Sequence, residues 1–311
     1  MRRGEAAIFP GQLAERVGMG RTLAATSPAA AAVLAEAEEE LGRELGGELR
    51  RVLFEGPAER LATPFFAQTG VVVVGLMSYA ALEEAEVEVG ATAGYSLGVL
   101  AALAAAEALT LAEVLAVIDR QIASYDRHLG HFDGAMAAVT GLGEAALREL
   151  AALASRPDDS VEIGNFNNGH QFVLTGSRAA VLRAIELATP TALGVRLLPI
   201  TWPVHSVYFE PVARELLAEL PALLRPRRPR MPVYSPITGE PVGDEHEVLE
   251  LVATEIARPV RWHQLVAAMR RDGHLHFTEC GPSSDLARMV RWIDRRAVVR
   301  SMGEGGLGQQ G

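Results

Sequence analysis

Residues 94–98 read Gly94-Tyr95-Ser96-Leu97-Gly98, a G-x-S-x-G pentapeptide between two segments of opposite character. Upstream, Val87 to Thr92 alternates β-branched residues in the manner of a strand. Downstream, Leu97 to Ala106 is built almost wholly of helix formers. A chain with this arrangement is committed locally to a sharp strand-to-helix turn. The glycines let the two elements approach, and the turn lifts the Ser96 hydroxyl clear of the backbone. In that position the Leu97 N–H points to where an attacked carbonyl oxygen would become an oxyanion. Two readings are open at this point: Ser96 is a nucleophile awaiting a base, or it is an ordinary turn serine.

The composition narrows the chemistry that could surround it. A hydrophobic share of 49% with 22% charged residues describes a chain with ample core, enough for one large domain or two modest ones in 311 residues. A single cysteine, Cys280, excludes an intrachain disulfide and a Cys-based zinc cluster. As a thiol it is either a buried structural residue or a second nucleophile. The formal charge of −10 argues against a nucleic-acid surface. All 29 basic residues are arginine, so neither Schiff-base chemistry nor a phosphate-loop lysine is available. The N-terminal residues carry no apolar stretch of signal-peptide length. Glu107 and Glu113 interrupt the apolar run from Leu97 to Ile118, which predicts two buried helices broken near Leu109-Thr110 and no membrane span. A cytoplasmic protein is expected.

Along the chain, Ala6–Phe9 predicts a strand entering a turn at Pro10-Gly11-Gln12, and Ser27-Pro28 a helix start. Residues 64–84 predict a long helix, although Val71–Val74 alone would suit a strand. From Ala135 onward the pattern becomes regular. Strand-like Ala135–Thr140, helical Glu144–Ala154, strand-like Val161–Asn165 and Phe172–Thr175, helical Arg178–Ala188 and strand-like Val195–Ile200 follow one another. This β-α-β-β-α-β order predicts a ferredoxin-like subdomain over residues 131–199, inserted into a larger α/β domain made of residues 1–130 and 200–311. The host's later strands are expected at Pro232–Pro236 and His274–Glu279.

An activated serine needs a base, and the chain has eight histidines. His205 directly follows the inserted unit, where a domain boundary would form a cleft. His128 and His131 fall in an expected linker, and His274 and His276 alternate in an expected strand. Spacing favours His205 only modestly over a core or surface role.

Several segments together resemble the malonyl-CoA:acyl-carrier-protein transacylases and the acyltransferase domains of polyketide synthases. Phe9-Pro10-Gly11-Gln12 with Val17–Gly20 is similar to their N-terminal signature, and residues 94–98 to their nucleophile motif. Residues 134–139, 162–176, 204–206, 232–242, 259–262 and 277–286 follow in the family's order. The resemblance spans nearly the whole chain. It implies an α/β-hydrolase-like core with a ferredoxin-like insert, Ser96 as nucleophile and His205 as base. It also implies an oxyanion hole made by the backbone N–H groups of Leu97 and Gln12. The reaction it implies carries a malonyl-type acyl group from CoA to an acyl carrier protein through an acyl-serine. No metal or redox cofactor is needed, and a backbone carbonyl in place of a triad acid can orient the histidine. Arg120 falls where the family carries a carboxylate-binding arginine. A guanidinium there would favour malonyl-type over uncharged acyl groups. A surface arginine paired with Asp119 or Asp126 is the other reading. Asn165, Tyr95 and Val204 are expected in the substrate wall, Asn165 equally as a turn residue. The arginine run at 225–230 reads as a solvated loop or as a docking patch for an acidic carrier protein.

Four departures from the pattern stand out: Leu13-Ala14-Glu15 after the first signature, Tyr95 where a histidine is usual, Trp202-Pro203-Val204 before His205, and Gln121 to Tyr125 after Arg120. They predict a specialised enzyme, acting in trans for a polyketide pathway, rather than a housekeeping one. Two alternatives use the same scaffold: a thioester hydrolase that releases the acyl group to water, and a non-catalytic homologue that only binds carrier protein.

Overall fold

The computed structural model describes residues 4–303, and two sheets organise them. The larger is parallel throughout, in the order β7 (Val233–Tyr234), β2 (Val89–Gly94), β1 (Glu5–Phe9), β8 (His276–Glu279), β9 (Val298–Ser301). A parallel sheet must be covered on both faces, and the alternation along β1 shows how. Ala7 and Phe9 join one core cluster, with helix Pro64–Glu84 and helix Gly98–Ala105, while Ala6 and Ile8 join the opposite one, with helix Trp262–Arg271 and helix Asp285–Ile293. Helix Pro64–Glu84 is apolar all round because it is buried all round; 89% of its most apolar stretch lies inside the protein.

The smaller sheet is antiparallel, in the order β4 (Val161–Asn168), β5 (Gln171–Ser177), β3 (Gly134–Thr140), β6 (Gly194–Leu197). Helix Glu144–Ala154 and helix Arg178–Ala188 cover one face, packing on Ala135, Ala137 and Val139 of β3 and on Phe172 and Leu174 of β5. The intervening residues, Met136, Ala138, Gln171 and Val173, face a cleft between the two sheets. On β4 a register shift between Ile163 and Asn165 changes which face the strand presents. Ile163 packs inward with the helices, whereas Asn165 and Asn167 turn to the cleft. β4 is tied to the segment leading into helix Trp262–Arg271, where Phe166 N–H donates to Val260 O and Val260 N–H to Gly164 O, both at 2.8 Å.

Helices Glu144–Ala154 and Arg178–Ala188 and the break between Gly98–Ala105 and Leu111–Leu129 stand where the sequence places them. Ser27 caps its helix by accepting from Ala30 N at 3.0 Å. Some boundaries differ. β6 ends at Leu197 rather than Ile200, because Pro199 has no N–H to extend the ladder, and β7 is confined between Pro232 and Pro236. His274 is not in a strand: its N–H donates to Met269 O and closes the turn after helix Trp262–Arg271. His128 is not in a linker but in the last turn of helix Leu111–Leu129, where it meets Glu215 at 2.6 Å. The arginine run at 225–230 is an irregular segment with its arginines exposed, as expected of a solvated loop, and it is anchored on neighbouring helices. The backbone N–H of Arg225 and the guanidinium of Arg227 both reach Glu113, and Arg230 pairs with Glu83 and Glu107.

Candidate active site

Ser96 sits two residues past the end of β2 with φ of 52°, in the left-handed region. A non-glycine residue held there costs about 1–3 kcal/mol, and its neighbours must enforce it. Gly94 and Gly98 do so by close packing. A Cβ on Gly94 would lie 2.0 Å from Val99 N, and one on Gly98 would lie 2.1 Å from Phe9 O. Neither clash is relieved by moving a side chain, since both partners are backbone. The turn therefore forms as the pentapeptide predicts, with Leu97 at the start of helix Gly98–Ala105 and the Pro10-Gly11-Gln12 turn beside it in the cleft wall.

His205 comes to this turn from 109 residues further along the chain, and its Nε2 lies 2.7 Å from Ser96 Oγ. Its Nδ1 lies 3.0 Å from both Glu255 O and Arg258 O. Those two partners are carbonyls, so Nδ1 carries the proton and donates, which leaves Nε2 as the acceptor for the serine hydroxyl. The backbone is equally fixed: His205 has φ of 62°, and its N–H donates to Ile256 O at 2.6 Å. Burial lowers its pKa to about 4, outweighing the two carbonyls, which favour the charged ring. The imidazole is neutral at pH 7 and ready to accept a proton.

The cleft around this pair has a volume of 260 Å³. Gln12, Leu97, Tyr95, Asn165 and Val204, all expected at the site, line it. Tyr95 OH donates to Asn167 Oδ1 at 2.7 Å and its ring packs edge-on against Trp262, so it ties the turn to the smaller sheet. Burial holds its phenol well above the ordinary range, which removes it from proton transfer. The Cys280 thiol is buried and pushed up by desolvation and by Glu279, as befits a structural residue.

Arg120 is a correction. It does not line the cleft; its guanidinium lies 3.3 Å from Glu219 on helix Glu210–Leu223, with both side chains over a third exposed. The partner is neither Asp119 nor Asp126. The physical reason is helical phase: Val114, Val117, Ile118, Gln121, Ser124 and Tyr125 form the buried stripe of helix Leu111–Leu129, and Arg120, about 100° round from Gln121, sits at the edge of that stripe. Gln121, the next residue, is the one that enters the wall, with its Nε2 3.5 Å from Val252 O. Two further wall residues had no signal in a motif. Gln68 comes from a helix read only for its apolar content, and Glu255 from a short 3₁₀ turn. Both are almost fully buried, and each has a side-chain oxygen without a hydrogen-bond partner. Desolvation pushes the Glu255 carboxyl up to about 8, so it is protonated at pH 7. Among the described residues, no group of three or more His, Cys, Asp or Glu side chains is disposed to hold a metal ion.

Known proteins match this chain over nearly its full length. Residues 7–296 match the family described as acyl transferase domain. The malonyl CoA-acyl carrier protein transacylase of Bacillus subtilis is 28% identical over 291 residues, covering 93% of this chain and 90% of the relative. A polyketide biosynthesis protein of Burkholderia thailandensis is 30% identical over 293 residues, 92% of this chain and 24% of that larger protein. Among solved structures, the acyl-carrier-protein S-malonyltransferase of Burkholderia pseudomallei superposes with a TM-score of 0.89 at 29% identity, covering 96% of this chain and 95% of that one. That of Bartonella henselae gives 0.89 at 26% identity, over 97% and 96%.

Proposed function

Because the chain belongs to the acyl transferase domain family, we propose that it transfers a malonyl-type acyl group from CoA to the phosphopantetheine thiol of an acyl carrier protein, in fatty-acid or polyketide synthesis. The observation that carries this reading is the 2.7 Å contact between Ser96 Oγ and a His205 whose tautomer is set by two main-chain carbonyls. His205 Nε2 takes the hydroxyl proton as Oγ attacks the thioester carbonyl carbon. The resulting oxyanion is held by the N–H groups of Leu97 and Gln12, each such donor contributing roughly 3 kcal/mol. Collapse breaks the carbon–sulfur bond, and the departing CoA sulfur takes the proton back from His205. In the second half the carrier thiol gives its proton to His205 and attacks the acyl-serine, which restores the Ser96 hydroxyl. One thioester replaces another, so the exchange needs no cofactor beyond the CoA substrate.

The architecture that supports this chemistry is read as an α/β-hydrolase-like core, residues 1–130 and 200–311, carrying a ferredoxin-like subdomain over 131–199. The parallel sheet with its strand–turn–helix and the antiparallel βαββαβ unit support that division. A CoA thioester as donor fits a cytoplasmic location.

The test is intact-mass analysis of the protein and a carrier protein after incubation with acyl-CoA. An acyl adduct on the wild-type chain that passes to the carrier, and that Ser96→Ala abolishes, supports the reading. Absence of an adduct on both proteins across a panel of acyl-CoAs sinks it. Adduct loss to water with no acylated carrier assigns the scaffold to thioester hydrolysis instead.

A further inference from the structure

A carboxylated acyl group brings its own charge into the cleft, and a charge taken out of water must be paired there. The walls of this cleft supply no such pairing near the reacting serine. Arg120 is outside, held by Glu219. Among the described residues that line the cleft, the one arginine is Arg196, exposed on β6. β6 is the edge strand, three places from β4 in the sheet and so roughly 14 Å from the strand that carries Asn165. The buried polar groups near His205 are uncharged. Gln68, Gln121, Asn165 and Asn167 are neutral amides, Glu255 is a protonated carboxyl at pH 7, and Gln68 Oε1 and Glu255 Oε2 have no hydrogen-bond partner. The apolar lining includes Tyr125, Trp202 and Val204, with Tyr125 and Trp202 packed edge to face at 5.0 Å.

We infer that this acyl chamber does not demand a carboxylate, so that short uncharged acyl groups are loaded onto Ser96 at least as efficiently as malonyl. The inference rests on the acyl-transfer reading and names the range of acyl groups for the same site. An acetyl or propionyl group enters a neutral, partly aromatic wall without leaving a charge behind. A malonyl carboxylate would instead meet neutral amides and a protonated carboxyl, with no guanidinium to offset the lost hydration. Protonation of Glu255 removes its charge but does not create a cation. Gln121 is the residue that sets this preference, because it occupies the buried position on the helix whose neighbour, one residue earlier, is the arginine that faces away.

The experiment compares kcat/KM for loading of the wild-type protein from malonyl-, methylmalonyl-, acetyl-, propionyl- and butyryl-CoA, with the Ser96 adduct read by intact mass. The expected result is that at least one uncharged acyl-CoA equals or exceeds malonyl-CoA. A malonyl preference over every uncharged donor overturns the inference while leaving acyl transfer intact; no adduct from any donor defeats acyl transfer itself. Gln121→Arg is expected to move the malonyl-to-propionyl ratio toward malonyl by tenfold or more, and Arg120→Ala to leave it unmoved. If the wild type prefers malonyl and Arg196→Ala erases that preference, the edge-strand arginine is the carboxylate clamp and the inference falls.

Discussion

Replacing Glu255 with glutamine tests whether the wall beside His205 is as desolvated as its geometry indicates. An unfolded glutamate ionises near pH 4.5, whereas burial pushes the folded carboxyl of Glu255 up to about 8. Between those values the folded chain keeps a proton that the unfolded chain has released. The folded pKa is the raised one, so stability is greatest below pH 4.5 and is lost as pH climbs toward 8. Integrated from pH 5 to pH 8, this single group withdraws roughly 3 kcal/mol. Glu255→Gln removes the titration and keeps the shape. Its unpaired amide costs about 1–3 kcal/mol at every pH, an offset that cancels when the same protein is compared at two pH values. Chemical denaturation of both proteins at pH 5 and pH 8 gives four free energies. The stability of Glu255→Gln relative to wild type is expected to improve by roughly 3 kcal/mol between the two pH values. If the two proteins lose stability in parallel, Glu255 is ionised in the folded state, and the wall is wet enough to host a charge.

The same burial governs His205: because its pKa is lowered to about 4, the acid limb of kcat/KM should fall near pH 4, and a midpoint near 6.5 would mean that the free enzyme's base is solvated or is another group. Gly98→Ala places a methyl 2.1 Å from Phe9 O and should cost more than ~3 kcal/mol, seen as loss of soluble protein or a collapsed thermal midpoint; a near-normal melt would show that the turn relaxes freely. Arg120→Ala breaks only a half-exposed pair with Glu219, so stability should change by less than ~1 kcal/mol and kcat/KM for any acyl-CoA by less than about threefold. A large loss with malonyl-CoA alone would return that residue to the substrate.

Much of the fold and of the site is legible in the sequence. The strand–turn–helix at Ser96 was written in the two glycines, whose Cβ-free backbones the packing requires. The alternation of β3, β5 and their helices was written in the period of the apolar residues. The orienting partners of His205 were not, because a backbone carbonyl leaves no mark in the identity of the residue that bears it: Glu255 and Arg258 hold the ring through atoms every residue has. Arg120 failed for a different reason. The resemblance puts it where the family carries a carboxylate-binding arginine, whereas the apolar stripe of its own helix, running through Val114, Ile118 and Tyr125, puts Gln121 inside and Arg120 out. The wall residues Gln68 and Glu255 come from segments with no pattern pointing to a cleft, and only the closure of the chain assembles them.

The imidazole anchored by peptide oxygens has an evolutionary consequence. A side-chain acid in that role can be deleted by one codon change; the carbonyls at positions 255 and 258 survive any exchange of the residues that bear them, so long as the turn is kept. The neighbouring wall is thus decoupled from the reacting pair, and a lineage can drift in what it accepts while the machinery that breaks the thioester is inherited unchanged.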